Sequence, residues 1–168
     1  MDNNEDNEKE VVFMANKKLA EEMKRMADGA VKVAKKSYQL NLNYSVDSLR
    51  TAEKVLSKLH EEVPKRVPFK LFKRGGMTEQ QIMSAAMVMG AYVGEVIRRI
   101  HGGEWVQEDI QGQKDVIFLR VNGNNIFPIG KVYRRIKNGP EDDIYFYYQV
   151  LVREVFESEE PESDEAES

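Results

Sequence analysis

A cluster of polar side chains lies at helical spacing near the middle of this 168-residue chain. Its members on one predicted helix are Tyr92, Glu95, Arg98 and Arg99. Because residues three or four apart lie on the same side of a helix, these groups would share one face. Trp105 opens the element that follows and Lys131 begins a later helix, so both are further candidates. Such groups can line a pocket for a small anion or a peptide, or form a buried hydrogen-bonded clamp between helix and sheet. The clamp is the favoured interpretation.

The sequence contains no recognised motif for catalysis. It has no nucleophile elbow, phosphate-binding loop, HExxH zinc motif or dinucleotide fingerprint. His101 and Glu95 are six residues apart, so on a helix they diverge by about 120°, which does not suit an acid–base pair. The chain has no cysteine, and His60 has no second ligand at metal-binding spacing. We therefore predict no metal and no cofactor, and a non-enzymatic protein is favoured.

Residues 78–101 form the best-defined predicted element, a long amphipathic helix. Thr78 and Gln81 have the spacing of a capping box, in which two side chains each bind an otherwise unpaired backbone N–H. An apolar stripe of period 3.6 follows, made of Ile82, Ala86, Met89, Val93, Ile97 and Ile100. Gly90 and Gly94 each cost about 1 kcal/mol relative to alanine inside a helix. Close approach of another chain segment is the favoured reason for them, ahead of a groove for a ligand.

Two amphipathic helices are predicted before this central helix. The first covers residues 12–36, and its apolar stripe is Val12, Leu19, Met23, Met26, Ala30 and Val33. The second begins at Ser45, a favourable N-cap residue, and ends before Pro64. Its apolar stripe is Leu49, Ala52, Leu56, Leu59 and Val63. Each helix would therefore pack one face on the core and leave the other in solvent.

A small sheet and two further helices are predicted after the central helix. The predicted strands are residues 104–108, 115–121 and 125–127. Asn122 and Gly123 are typical of a tight hairpin turn, and Pro128 suits the first position of a helix. In that helix we predict Ile129, Val132, Tyr133 and Ile136 to face inward and Lys131, Arg134, Arg135 and Lys137 to face outward. Residues 142–156 fit a strand or a helix, and their length after a stop signal favours a helix.

Together these elements predict a single α+β domain over residues 11–156. In it, the long central amphipathic helix packs with the other helices and with a small three-stranded antiparallel sheet. Residues 1–10 and 157–168 are acidic and are predicted to be disordered tails. Without them the chain carries 24 basic and 17 acidic residues, a formal charge of +7, against −4 for the whole chain.

The positive charge of the body supports nucleic-acid binding as one alternative function. The segment 64–76 interleaves basic residues with two phenylalanines, which can contact phosphate and stack on bases. The candidate contacts are Lys65, Arg66, Lys70, Lys73, Arg74, Arg134 and Arg135. These side chains would have to form one contiguous positive face. Anchoring of the segment on the core by its apolar residues is the favoured interpretation.

Two segments resemble a family of uncharacterised bacterial proteins. They are GAYVGEVIRRIHGGEW (residues 90–105) and FPIGKVYRRIKNGPEDDIYFYY (residues 127–148). In that family a G-A-Y-x-G-E helix ends in G-G-x-W, and a short sheet and a P-x-x-K-V-x-R-R helix follow. The helix start from Tyr44 to Leu49 also matches, so the resemblance covers about residues 38–152. It implies this order of elements but no established activity, and it excludes the N-terminal helix and both tails.

We predict a cytoplasmic protein that acts by binding another protein. The first ten residues do not resemble a signal peptide, and no apolar run is long enough to span a membrane. By analogy with other small single domains, a toxin bound by an immunity protein is one class of partner. The alternatives are the nucleic-acid binder above and a small-ligand-binding protein or enzyme centred on Tyr92, Glu95 and Arg99. The sequence leaves the oligomeric state open.

Overall fold

The structure is a computed structural model in which residues 3–64 and 76–157 are described, with side chains from Val11 onward. Its helices are α1 (Asn3–Tyr38), α2 (Asp47–Glu61), α3 (Glu79–His101), α4 (Pro128–Asn138) and α5 (Ile144–Leu151), and its strands are β1 (Glu104–Ile110), β2 (Gln113–Val121) and β3 (Asn124–Ile126). Within the described residues these helices and the antiparallel sheet form one α+β domain, which confirms the predicted fold class. Residues 65–75 of the basic segment and 158–168 of the predicted C-terminal tail lie outside the described residues.

Helix α3 is the central element of the fold, as predicted. It has the predicted capping box: the Gln81 N–H donates to the Thr78 hydroxyl at 3.2 Å, and the Gln81 side chain accepts the Thr78 N–H at 2.8 Å. The helix continues without interruption through Gly90, and every residue from Met89 to Ile97 is buried. Ile100 departs from the predicted stripe, because it lies beyond this covered stretch and is 44% exposed.

Helix α1 packs along α3, but its start and its buried face differ from the prediction. It begins at Asn3, so residues 3–10 are helical in the structure, where the sequence favoured a disordered tail. Its buried residues are Leu19, Met23, Ala27, Ala30 and Ala34. Val12 and Val33, both in the predicted stripe, are exposed. The alanines carry a weak hydrophobic signal in the sequence, but their small side chains allow α1 to lie close to α3.

The N-terminal part of α1 projects from the domain. The helix has 36 residues and is therefore about 54 Å long. Between Val11 and Lys18 no side chain is buried, and the first buried residue of the helix is Leu19. No helix in the described part of the chain, α1 included, is long and apolar enough to cross a lipid bilayer.

Helix α2 begins two residues after the predicted cap. The N–H of Ser48 donates to the Ser45 hydroxyl at 3.2 Å, so Ser45 still satisfies a donor of the first turn. Of the predicted stripe, Leu49, Ala52 and Leu56 are buried, and Leu59 and Val63 are half-buried. The helix packs against α4 and α5.

The sheet has the order β1-β2-β3 with antiparallel neighbours, as predicted. Asn122 and Gly123 have φ values of 49° and 73°, which are typical of a tight hairpin turn between β2 and β3. Trp105 pairs with Leu119 across β1 and β2, and Leu119 pairs with Ile126 across β2 and β3. All three side chains are buried, so this row belongs to the core.

Helix α4 begins at Pro128, as predicted, and packs closely against α3 beside Gly90. A Cβ atom on Gly90 would be 2.5 Å from the Cα atom of Ile129, so close packing accounts for this glycine. Ile129, Val132 and Ile136 face the core as predicted. Arg135 was expected on the outward face, but it is 2% exposed. Its partner lies on α2, and periodicity along α4 cannot reveal such a partner.

The segment after α4 is helical, as the sequence favoured. A short 3₁₀ turn, Pro140–Asp142, leads into α5. The carboxylate of Asp143 caps α5 by accepting the Phe146 N–H at 2.6 Å. The chain then continues through a turn of π-helix, Val152–Phe156.

Candidate functional site

Glu95 is the centre of the candidate site, because it is a carboxylate on the fully buried stretch of α3. Its side chain has no exposed area. Burying an ionised carboxylate costs several kcal/mol unless the group is paired and hydrogen-bonded. The surrounding residues must therefore supply donors.

Two side chains supply these donors, and a third adds a positive charge nearby. Arg98, one turn along α3, donates from Nε to Glu95 Oε1 at 2.7 Å and from Nη2 to Oε2 at 3.1 Å. This is a two-point contact between a guanidinium and a carboxylate, which is stronger than a neutral hydrogen bond. The indole Nε1–H of Trp105 donates to Oε1 at 3.0 Å, and Arg99 places Nε 3.7 Å from Oε2. Both oxygens of Glu95 are therefore paired.

Two glycines bring Trp105 to Glu95. A Cβ atom on Gly94 would lie 2.3 Å from the indole ring, so a glycine is needed where Trp105 packs against α3. Gly103 has a φ of 102°, and a Cβ atom there would lie 2.5 Å from the carbonyl oxygen of Arg120. The sequence G-E followed by G-G-x-W thus encodes one packed unit. Packing, the favoured reason for Gly94, accounts for it here.

Hydrogen bonding outweighs burial in setting the charge of Glu95. Burial alone would raise the pKa of its carboxyl group. The hydrogen bonds from Arg98 and Trp105, together with the positive charges of Arg98 and Arg99, lower the pKa below its ordinary value of 4.5. Glu95 is therefore ionised at neutral pH. Such a carboxylate is suited to holding cations and N–H groups in place, and not to donating a proton.

Tyr92 makes a second set of hydrogen bonds, about one turn before Glu95. Its hydroxyl oxygen accepts the backbone N–H of Tyr44 at 3.1 Å and lies 2.5 Å from the Ser48 hydroxyl. Its ring centre lies 5.0 Å from that of Tyr44. Burial raises the pKa of the Tyr92 hydroxyl, although the bonds with Ser48 and Tyr44 oppose the rise. These contacts fasten the connection between α1 and α2 onto α3.

Arg99 connects the two sets of hydrogen bonds. Its guanidinium carbon lies 3.4 Å from the centre of the Tyr44 ring, which is a cation–π contact, and its Nε faces Glu95. The Tyr44 hydroxyl donates to Asp28 Oδ1 on α1 at 2.6 Å. Burial and the Asp28 carboxylate raise the pKa of Tyr44, so its hydroxyl stays protonated and remains a donor. One polar network therefore joins α1, the α1–α2 connection, α3 and β1, and we call it the Glu95 network.

Lys131 has different partners. Its Nζ donates to Asp142 Oδ1 at 2.7 Å and lies 5.7 Å from the centre of the Tyr147 ring. These contacts join α4 to the 3₁₀ turn and to α5. The structure therefore brings together the candidates Tyr92, Glu95, Arg98, Arg99 and Trp105, and it places Lys131 in a separate ion pair.

His101, at the end of α3, faces α5. Its Nε2 lies 2.9 Å from the Tyr148 hydroxyl oxygen, and its ring stacks on Phe156 with 3.9 Å between the ring centres. Burial lowers the pKa of His101, while the charge of Glu157 opposes that effect. Its contacts give no acid–base pairing with Glu95, in agreement with the helical geometry predicted from the sequence.

A second ion pair, between the buried Arg135 and the half-buried Glu53, joins α2 to α4. Arg135 donates from Nε to Glu53 Oε2 at 2.8 Å and from Nη2 to the Ser57 hydroxyl at 2.8 Å. The other oxygen of Glu53 accepts the backbone N–H of Ile144 at 2.5 Å. Burial raises the pKa of Glu53, although the bonds from Ile144 and Arg135 oppose the rise. We call this group the Glu53 cluster.

The basic residues of α4 are paired with carboxylates of the protein itself. Besides the pairs above, Arg134 lies 3.6 Å from Asp142, and Lys137 lies 2.6 Å from Glu79. Of the predicted nucleic-acid contacts, Arg135 is buried and is therefore wrong as a surface contact. Arg134 is exposed beside its acidic partner. The remaining candidates, Lys65, Arg66, Lys70, Lys73 and Arg74, lie outside the described residues.

Several members of these networks were not predicted as site residues: Asp28, Tyr44, Ser48, Glu53 and Ser57. Tyr44 and Ser48 contact Tyr92 over 48 and 44 residues of sequence, so no spacing along one helix reveals them. One signal was available. Ser48 directly precedes the buried Leu49 in an amphipathic helix, and a buried hydroxyl requires a hydrogen-bond partner.

Comparisons with known proteins found no match for this chain. No model of a protein family matches the chain, and no curated protein or solved structure was found to be similar. The resemblance to a family of bacterial proteins stays a prediction. Among the described residues, no group of three or more histidine, aspartate or glutamate side chains is arranged to hold a metal ion.

Proposed function

We propose that this chain is a non-enzymatic protein-binding module, and that it contacts its partner through the projecting part of α1. One observation carries the proposal. Four consecutive apolar residues, Val11, Val12, Phe13 and Met14, are 62%, 58%, 67% and 57% exposed. Successive residues of a helix point about 100° apart, so these four side chains form an exposed apolar collar around about one turn of α1. Single exposed apolar residues are ordinary, but a continuous exposed apolar surface is typical of a protein contact site. We call these four residues the apolar tip.

The geometry of the Glu95 network supports a structural role for the predicted polar cluster. A site for a small ligand needs polar groups that face an open cavity. Here the carboxylate of Glu95 is fully buried and its donors are the protein's own side chains. The network therefore accounts for the spacing of Tyr92, Glu95 and Arg99 without a ligand, and the protein-binding hypothesis is favoured over a ligand site there.

The pairing of the α4 cations also favours a protein partner over a nucleic acid. Binding to nucleic acid depends on lysine and arginine side chains that neutralise phosphates. The four basic residues of α4 each face a carboxylate of the same chain, as described above. A phosphate backbone would have to compete with those carboxylates.

Affinity capture from the native host tests the proposal. The full chain is compared with a variant that combines Phe13→Ser and Met14→Ser. Removing two apolar anchors from an interface should cost about 1.4 kcal/mol or more, so recovery of the bound protein is expected to fall by about tenfold or more. Both side chains are exposed, so the free energy of unfolding should change by less than about 0.5 kcal/mol.

Val33→Ser is the matched control, because Val33 is 50% exposed on the same helix but lies where α1 packs on the domain. This control should retain the captured protein. Equal recovery with all three chains, or an equal loss in the control, would contradict a contact through the apolar tip.

A further inference from the structure

We infer that the partner of the apolar tip is a protein with an apolar groove that encloses α1, and that carboxylates line the part of this groove nearer to the domain. The inference rests on the proposed function, because it names the chemistry of the partner at the same surface. It follows from how the four side chains are distributed around α1 and from the lysines that come directly after them.

The apolar tip surrounds α1 instead of lying on one side of it. Because successive residues point about 100° apart, the side chains from Val11 to Met14 together cover about 300° of the helix circumference. Their exposed fractions lie between 57% and 67%, so the domain covers no side of the tip. Each apolar side chain gains free energy by leaving water, but a flat partner can cover only one side of a helix. Burial of all four therefore requires a partner that closes around α1.

Two lysines follow the apolar tip on the side of the domain. Lys17 and Lys18 are exposed and lie about 8 Å from the centre of the tip along the helix axis. Glu21 and Glu22 come four residues later, at the spacing that allows ion pairs on a helix. However, Glu22 lies 3.9 Å from Arg25, and among the described side chains no carboxylate oxygen lies within 4 Å of either lysine. Both amino groups are therefore available to a partner.

This part of α1 carries an excess of positive charge. Residues 15–25 include four basic and two acidic side chains, which gives a net charge of +2. A groove that closes around the apolar tip also reaches this stretch, where carboxylates of the partner would complement the lysines at the edge of the interface. The sequence before the tip is acidic on balance, so the carboxylates are assigned only to the side of the groove nearer to the domain.

A nucleic acid or an anionic membrane suits the lysines but not the apolar tip. A phosphate backbone can neutralise Lys17 and Lys18, but it offers no apolar groove. A membrane surface buries one apolar face of a helix that lies in it, whereas the apolar tip has no single face. A protein groove supplies both apolar walls and carboxylates, and grooves that bind helices are a common mode of protein recognition.

Site-specific photo-cross-linking tests whether the partner encloses α1. Four variants of the full chain carry p-benzoylphenylalanine at one position each: Val11, Val12, Phe13 or Met14. After irradiation in the native host, all four are expected to be linked to the same protein, because the groove surrounds the helix. The same label at Val33 should not link to that protein, since Val33 lies where α1 packs on the domain. A position of the tip that fails to link would overturn the enclosing groove.

Chemical cross-linking tests for the carboxylates of the groove. The protein identified by photo-cross-linking is purified and mixed with the wild-type chain, and a carbodiimide is added to join amines to carboxylates in direct contact with them. Mass spectrometry is expected to find an amide bond between Lys17 or Lys18 and an aspartate or glutamate of the partner. The absence of such a bond at both lysines would overturn the assignment of carboxylates.

Charge reversal provides an independent readout with the same purified partner. The double variant Lys17→Glu, Lys18→Glu is expected to bind about tenfold more weakly than the wild type, and the difference should shrink as salt is added. The matched control is Lys35→Glu, Lys36→Glu, because these exposed lysines lie on the same helix about 27 Å further along its axis. This control should bind like the wild type. No loss in the first variant, or an equal loss in both, would overturn carboxylates beside the apolar tip.

Defined probes test the other two classes of partner. A DNA duplex of mixed sequence and vesicles of phosphatidylglycerol are each offered to the wild-type chain and to the Phe13→Ser, Met14→Ser variant. Neither probe is expected to bind in a way that depends on these two side chains. Binding to either probe that is lost in the variant would overturn the protein groove as the partner of the apolar tip.

The inference and the proposed function can fail separately. If the Phe13→Ser, Met14→Ser variant loses a host protein whose binding does not depend on Lys17 and Lys18, the acidic groove is wrong and the protein-binding function stands. The same holds if that protein links to only part of the tip. If capture is unchanged by the variant, both the inference and the proposed function are wrong.

Discussion

Glu95 is buried and Glu53 is half-buried, and each faces an arginine, yet their pKa values shift in opposite directions. Glu95 receives two hydrogen bonds from Arg98 and one from Trp105, and its pKa is lowered in spite of burial. Glu53 receives one from Arg135 and one from the Ile144 N–H, and burial raises its pKa with help from the charge of Asp143. A facing arginine is therefore not sufficient to lower the pKa of a carboxyl group against the effect of burial; the number and charge of its donors decide.

Loss of the aromatic residue Trp105 from the Glu95 network is expected to have the largest effect on stability in this comparison. Trp105→Ala removes a fully buried indole and one donor to Glu95, so the free energy of unfolding should fall by about 4 kcal/mol. Trp105→Phe keeps most of the ring but loses the N–H, and should cost about 2 kcal/mol. Urea unfolding measures both. A cost near zero for Trp105→Phe would show that the hydrogen bond to Glu95 contributes nothing.

The Glu53 cluster is expected to depend on its arginine. Arg135→Ala leaves the half-buried Glu53 carboxylate with only the Ile144 N–H as donor, and should reduce the free energy of unfolding by about 3 kcal/mol. The double variant Glu53→Leu, Arg135→Met removes both charges and should recover a large part of that loss. Urea unfolding of the single and the double variant measures their free energies of unfolding. A double variant as unstable as the single one would indicate that packing volume, and not an unpaired charge, sets the cost.

The two regions also differ in close packing. Gly94 packs against Trp105 in the Glu95 network, whereas the Glu53 cluster has no glycine among its partners. Gly94→Ala places a Cβ atom against the Trp105 indole and should destabilise the protein by about 2 kcal/mol. Gly130→Ala in α4 is the matched control, since a Cβ atom there meets nothing within 4 Å. It should stabilise the helix by about 0.5–1 kcal/mol. Thermal unfolding measures the effect of both substitutions on Tm. Shifts of the same sign would contradict the role of close packing at Gly94.

The opposite pKa shifts predict opposite dependences of stability on pH. The lowered pKa of Glu95 contributes stability that is present above its ordinary value of 4.5 and is lost as the pH falls below it. The raised pKa of Glu53 contributes stability that is present below 4.5 and is lost as the pH rises through its higher value in the folded protein. Relative to wild type, Glu95→Gln should therefore be less harmful at low pH, and Glu53→Gln less harmful at neutral pH. Urea unfolding between pH 3 and pH 7 measures these differences, and parallel curves would contradict both assignments.

Features encoded over a few residues could be predicted from the sequence. The capping box of Thr78 and Gln81, the buried stripe of α3 and the hairpin at Asn122-Gly123 each depend on local geometry, and each is present. The spacing of Glu95 and Arg98 also placed these two side chains on one face of the helix, where they form an ion pair. These contacts lie within one helical turn or one tight turn, where sequence spacing determines distance.

Features that depend on tertiary contacts could not be predicted. Arg135 is buried because Glu53 lies opposite it, and these two residues are 82 positions apart in the sequence. The buried face of α1 follows three alanines, which give a weak hydrophobic signal but fit closely against α3. The Tyr44 and Ser48 contacts of Tyr92 likewise depend on how the α1–α2 connection crosses α3.

The chain changes direction at Gly103, between α3 and β1, and this turn bears on the order in which the protein folds. It places Trp105 beside Glu95 across only ten positions of sequence, so closing that loop costs little entropy. The Arg135–Glu53 contact must instead close a loop of 82 residues. We therefore expect α3, the turn at Gly103 and β1 to assemble first and to act as the folding nucleus. Substitutions at Trp105 would then mainly slow folding, whereas substitutions at Arg135 would mainly speed unfolding.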